Sequence, residues 1–175
     1  MAWVDGSAST SALPWSRESE DVLHHTVTCD SAVLALAVDD VRGRMLVGTQ
    51  QGDIRVWHLP TFEVQADLVG HRSSVLSLVL SDDYVFSASS DSTVRVWDAE
   101  TLQPCACVFP ASTNTGDIYS LAWDAKAQVL YMGCQDTSIE WISITRARLH
   151  EAASEPLWPT ATSYDKFFDS RPRSL

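Results

Sequence analysis

Positive charge is scarce in this chain of 175 residues: 12 lysines and arginines stand against 23 aspartates and glutamates, for a formal net charge of −11. Proteins that grip a phosphate backbone present clustered Lys and Arg, so nucleic acid is not an expected partner. The basic residues of the central region (Arg42, Arg44, Arg55, Arg72, Arg95, Lys126, Arg146) stand one by one, without the stripe a membrane surface favours. Long apolar runs are also missing. The longest, Ala32 to Val38, is far short of the roughly 20 residues of a spanning helix, and no basic segment followed by an apolar core marks a secretory leader. Cysteines are few, and Cys29, Cys105, Cys107 and Cys134 show no zinc-ligand spacing. Cys105 and Cys107 point to one face of a predicted strand, so small buried thiols in a reducing cytosol are the expectation, ahead of a disulfide or a metal site. There is no Gly-rich phosphate loop, no His-Glu-x-x-His helix and no close carboxylate pair, so neither cofactor nor metal is expected. His24 and His25 alternate faces of a strand and do not converge on one ion.

What the chain has instead is a repeat. Its clearest copy, Val75 to Asp98, reads VLSLVLSDDYVFSASSDSTVRVWD, and looser copies run from Val33 to Trp57 and from Ile118 to Ser143. Each copy is an alternating apolar strand, a short turn, a second strand ending in small residues, a polar turn and a third strand. This is the pattern of a four-stranded blade of a β-propeller. The turns place Gln51, Asp91 and Asp136 in equivalent positions, at offsets of 40 (91 − 51) and 45 (136 − 91), matching the period of about 40 to 45 residues of WD-type blades. Counting from these turns identifies the repeat-closing residues as Trp57, Trp97 and Ile142. Trp141 is then the counterpart of Val96, although it resembles the closing tryptophan.

The second copy carries a polar constellation in His71, Ser87, Asp91 and Trp97. An Asp held in a tight turn can accept from the imidazole, whose other nitrogen can meet the serine hydroxyl, which can accept from the indole N–H. The same types could form a Ser-His-Asp hydrolase site, but no nucleophile elbow or oxyanion loop surrounds Ser87. The structural tetrad is therefore the reading adopted. The first copy keeps only Trp57, with Cys29, Val47 and Gln51 at the His, Ser and Asp positions. The third keeps Asp136, with Asn114, Met132 and Ile142 at the others. Arg55, Arg95 and Glu140 share a position on the third strand of each repeat and read as solvated outward charges ahead of a binding role. Asp39-Asp40 and Asp82-Asp83 lie in equivalent hairpins, where Asp caps turns; a calcium site is the lesser alternative.

The expected fold is all-β: a partial propeller of about three blades, with flexible N- and C-terminal segments. Residues 1–21 read as a flexible leader, 22–150 as the propeller arc, with blades at about 29–69, 71–109 and 114–150, and 151–175 as a linker or docking tail. Val22 to Thr28 alternates as the outer strand of a preceding blade would. Three blades fall short of the roughly four or more of a closed ring, so the chain reads as a fragment, a truncated product or a piece needing a partner. Uncovered sheets at both ends lead to the expectation that it self-associates when isolated.

Over residues 22–150 the chain resembles the WD-repeat (WD40) family, with DSTVRVWD as the signature. The phrases SAVLALAVDD, VGTQQGDIRVW, GDIYSLAWD and QDTSIEW, with KFFDSRP in the tail, are more narrowly similar to the N-terminal WD-repeat region of the fungal glutathione-degradation subunit related to di- and tripeptidases. That resemblance implies a non-catalytic, cytoplasmic scaffold. In that family the propeller precedes a metallopeptidase-like domain, which these residues do not include, and a glutamine-amidotransferase-like partner joins it to cleave the γ-glutamyl bond of glutathione. A general WD-repeat adaptor or substrate receptor is the alternative.

Overall fold

In the computed structural model, residues 26–108 and 115–145 are described. They form eleven strands in three antiparallel sheets and no helix, so none is long and apolar enough to cross a membrane. Blade one is β1 (Val33–Asp39), β2 (Arg44–Thr49), β3 (Ile54–His58) and β4 (Glu63–Leu68); blade two is β5 (Val75–Leu80), β6 (Tyr84–Ser89), β7 (Val94–Asp98) and β8 (Pro104–Val108). The described part of blade three is β9 (Ile118–Asp124), β10 (Val129–Cys134) and β11 (Ile139–Ser143). Each sheet follows chain order, β1-β2-β3-β4, β5-β6-β7-β8 and β9-β10-β11. The innermost strands lie side by side, β1 against β5 and β5 against β9.

Register makes the repeat exact in kind. Met45 pairs with Trp57, Val85 with Trp97 and Leu130 with Ile142, so Ile142 occupies the closing position and Trp141 the position of Val96. The turn before the third strand has a left-handed residue in every blade: Gly52 at φ 97°, Ser92 at 64° and Thr137 at 71°.

Alternation explains the packing. In β6 both faces are apolar or small, and every residue from Val85 to Ser89 is buried. One face, with Val85, Leu78 and Trp97, packs on Leu46, Ile54 and Val56 of blade one. The other, with Phe86, Val94 and Val96, packs on Ile118, Leu130 and Met132 of blade three, and Phe86 lies 4.9 Å from the Trp123 ring. Blade two is thus the middle layer of a three-sheet stack, stabilised by burial on both sides.

A polar clasp adds to the first seam. Arg44 and Asp39, both 6% exposed, form an ion pair at 3.2 Å, and Arg44 Nη2 also donates to the Ala99 carbonyl of blade two. Arg42 donates to Asp82 O at 2.8 Å and to Glu100 Oε2 at 2.9 Å, and its backbone N–H caps Asp39 at 3.1 Å. Two arginines that looked scattered in sequence therefore converge on one carboxylate, and Asp39 is a buried anchor, not simply a turn cap.

Three further expectations change. Thr26 to Thr28, the described end of the proposed outer strand from Val22, belong to no strand, and the rest of that segment lies outside the described residues. Cys134 is buried, but Cys29, Cys105 and Cys107 are only half-buried; all four thiols are free. Arg95 is 3% exposed instead of solvated, for reasons given below. The leader, His24 and His25, Asn114, Arg146 with the end of the third blade expected to reach residue 150, and the tail lie outside the described residues.

Gly52 tests the seam. A Cβ there would sit 2.8 Å from Ser73 O and 3.0 Å from His71 O, backbone atoms of the neighbouring blade, at a φ that side chains avoid. Gly43, at φ 61°, shares the left-handed penalty of about 1–2 kcal/mol but would meet only Pro60 Cδ at 4.0 Å, so Gly52→Ala is expected to cost more than Gly43→Ala in urea titration, the excess reporting the seam.

Candidate functional site

The structure brings His71, Ser87, Asp91 and Trp97 together. Asp91 is held by the turn between β6 and β7, where its Oδ1 accepts from Thr93 N at 3.0 Å and from the Thr93 hydroxyl at 2.6 Å. Its Oδ2 accepts from His71 Nδ1 at 3.0 Å and from Arg72 N at 2.9 Å. His71 Nε2 meets Ser87 Oγ at 2.8 Å, and the Trp97 indole donates to that same oxygen at 2.9 Å. The donors and acceptors close with one assignment: Nδ1–H to Asp91, Ser87 O–H to Nε2, indole N–H to Ser87. The chain of bonds spans the β4-to-β5 link, β6, its following turn and β7.

Burial raises the Asp91 pKa, but the hydrogen bonds from His71, Thr93 and Arg72 outweigh it and hold the carboxyl well below its usual range. Ser87 has no exposure and Trp97 has 1%. A nucleophile sealed under an indole cannot reach a substrate, so geometry that imitates a hydrolase relay has no mouth. Among the described residues, no group of three or more His, Cys, Asp or Glu is placed to hold a metal ion.

Thr93 is a member that the tetrad pattern did not name. It is fully buried, bonds Asp91 and lies 3.2 Å from His71 Nδ1. The signal was present as Asp-x-Thr, which recurs as Asp136-x-Ser138. There Ser138 N and Oγ bond Asp136 Oδ1 at 3.0 and 2.6 Å, holding that exposed carboxyl below its ordinary value.

The closing residues of the other blades differ in a measurable way. Trp57 is 8% exposed, and its indole nitrogen is buried without a hydrogen-bond partner, because Val47 stands where Ser87 would accept. Ile142 removes the donor altogether and packs beside Leu130 and Met132.

The three matched charges take three environments. Arg55 is part-exposed and bonded to Asp67 at 2.9 Å and Asp30 at 3.3 Å. Glu140 is half-buried. Arg95 pairs across β8 with Cys107, and its guanidinium lies where a Cβ on Gly70 would be only 2.8 Å away. The missing side chain of Gly70 leaves the space that lets Arg95 fold inward. Burial pushes the Cys107 thiol up to about 11, against the opposing pull of Arg95, so this sulfur is not a thiolate nucleophile near neutral pH.

The comparisons with known proteins follow this geometry. Residues 62–98, from the start of β4 through β7, match the family model "WD domain, G-beta repeat". The middle repeat is similar to a WD repeat. With its neighbours in the same register, the described chain is a partial WD-type propeller. Its similarities include the "Probable di- and tripeptidase DUG2" of Saccharomyces cerevisiae, 28% identical over 162 residues, covering 79% of this chain and 18% of that one. The "Zinc finger CCCH domain-containing protein 17" of Oryza sativa subsp. japonica is 42% identical over 88 residues, covering 48% and 19%. "Cell division control protein 4" of Candida albicans is 32% identical over 112 residues, covering 54% and 16%. The chain thus spans less than a fifth of these relatives. Among solved structures it is similar to the computationally designed Ika8 protein, with a TM-score of 0.55 and 29% identity over 65% of this chain and 33% of that one.

Two predictions follow from the WD network. The unfolded Asp titrates near 3.9 and the folded carboxyl lower, so its stabilisation is full above that value and is lost as pH falls through the folded pKa. Asp91→Asn should cost about 1.5–3 kcal/mol near neutral pH, and its stability, followed by denaturant titration at several pH values, should fall less steeply than that of the parent below about pH 4. The second compares tryptophans. Trp97→Phe strips a bond from Ser87 and should destabilise by about 1 kcal/mol or more, whereas Trp57→Phe removes an orphaned donor and should be neutral or stabilising in the same assay.

Proposed function

We propose that this chain is a non-catalytic WD-repeat interaction scaffold and that it serves a cytosolic peptidase complex that degrades glutathione. The observation that carries the first part is the sealed tetrad: the described residues that most resemble a catalytic relay are spent on bracing one blade, out of reach of substrate. Each of the four residues acts through its neighbours, and Thr93 acts with them. Exposed loops and sheet faces remain for partners, as WD-type propellers present them.

The narrower part rests on breadth of similarity. The likeness to the yeast di- and tripeptidase spans 79% of this chain, whereas the higher identity to the rice zinc-finger protein covers 48%. In this reading the propeller positions peptidase subunits, with a glutamine-amidotransferase-like protein as the partner, and the hydrolytic chemistry belongs to the assembled complex. The second reading is a general WD-repeat adaptor, favoured by relatives as unlike in name as the rice zinc-finger protein and the Candida cell-division protein.

Two measurements test this. Purified chain should hydrolyse neither glutathione nor dipeptides; chelator-sensitive turnover would end the scaffold reading. The tagged chain should also bind a purified glutamine-amidotransferase-like subunit in titration calorimetry. Absence of binding, with the protein folded, favours the general adaptor.

A further inference from the structure

Each innermost strand carries one extra residue at the same register. In β1 the pairing passes from Val33 to Ala35, in β5 from Val75 to Ser77 and in β9 from Ile118 to Ser120, so Leu34, Leu76 and Tyr119 have no counterpart on the adjoining strand. Such a bulge takes a side chain out of the alternation and re-aims it. The middle blade, which has a described neighbour on both sides, shows the result. Val75 enters the core shared with blade one, and Ser77 Oγ accepts from Leu121 N of blade three at 3.2 Å. Leu76, between them, is half-buried and belongs to neither apolar core. Its counterparts Leu34 and Tyr119 are 44% and 52% exposed.

The three side chains form a row. β1 lies against β5 and β5 against β9, and each is the edge strand of its own sheet, so the bulged residues stand at one level along the inner edge. A single exposed leucine needs no explanation. Three large apolar side chains, each lifted from its sheet by the same device, make a surface that a partner can cover.

Carboxylates flank this row. The turns that follow Thr49 and Cys134 lie at the bulged end of the sheets, because those residues pair with Val33 and Ile118. They bring Asp53 and Asp136 there, and Asp117 stands next to Ile118. None of the three pairs with an arginine or lysine among the described residues. Asp30, at the same end, is already bonded to Arg55.

We propose that the bulged row is the docking surface for a basic segment of a partner protein, whose apolar side chains cover Leu34, Leu76 and Tyr119 while neighbouring lysines or arginines meet Asp53, Asp117 and Asp136. Burial of the row supplies affinity, and the carboxylates select a basic partner over an acidic one. The inference rests on the scaffold reading, to which it adds a surface and a class of ligand.

Fluorescence anisotropy tests it, with the whole chain titrated into a short labelled peptide of leucines set among lysines. The parent should bind, more weakly as salt rises. Leu76→Ser and Tyr119→Ser should each weaken binding at least about tenfold, and Asp117→Asn about two- to fivefold. Val41→Ser, at an 83% exposed position in the turn at the other end of β1, should leave it unchanged. Far-ultraviolet circular dichroism and a thermal melt check that each variant is folded. A peptide with serine in place of every leucine keeps the charge; if it binds as well, the attraction is to overall negative charge only and the proposal is overturned. Equal binding of a peptide with glutamate for every lysine, unchanged binding by folded Leu76→Ser and Tyr119→Ser, or no binding by the parent also overturns it. Each of these results leaves the scaffold reading to its own measurements, hydrolysis and subunit binding.

Discussion

Everything in this structure depends on sheets that are apolar on both faces. A sheet with one apolar side can rest on a single neighbour and show the other side to water. β6 cannot, because Val85 and Ser87 point one way and Phe86 and Ala88 the other, all buried. The sequence of such a strand demands two neighbours, and the repeat supplies them by stacking copies of itself. The WD network refines this arrangement without creating it. Blade one retains its place with only the tryptophan of the tetrad, and blade three with only the aspartate.

Polar anchoring is distributed to match. Blade two, braced internally by the His71–Asp91 network, is also gripped from blade one by Arg42 and Arg44. The charge-charge part of the exposed Arg42–Glu100 contact is small in water, although that hydrogen bond leads the effects that raise the Arg42 pKa, ahead of burial, which lowers it. The Asp39–Arg44 pair differs, since both partners are buried and removing either would strand a charge.

Much of this was legible in the chain, and the exceptions share a cause. Alternation located the three repeats, whose ends fall within a residue of β1 to β3, β5 to β7 and β9 to β11, because it reports a property of one strand at a time. Counting from the turns placed Ile142 ahead of the more conspicuous Trp141, since the hairpin fixes register. The tetrad residues could be named from type and spacing, and Thr93 could have been, from the Asp-x-Thr turn. Arg95 could not, because its buried guanidinium lies against Gly70, which only folding brings beside it. Nor could the convergence of Arg42 and Arg44 on Asp39 and blade two. Short-range order in sequence says nothing about which hairpin of the next sheet lies within reach.

The unequal surroundings of Trp57 and Trp97 give the molecule two built-in reporters. Both indoles occupy the same register position and are shielded from solvent, yet one N–H ends on a serine oxygen at 2.9 Å and the other has no acceptor. Hydrogen bonding deshields an indole proton, so the two should resonate apart in a proton–nitrogen spectrum, and shielding should slow the exchange of both with water. Blades one and two can therefore be watched separately as the chain is heated or titrated, without any label, by the loss of two individual signals.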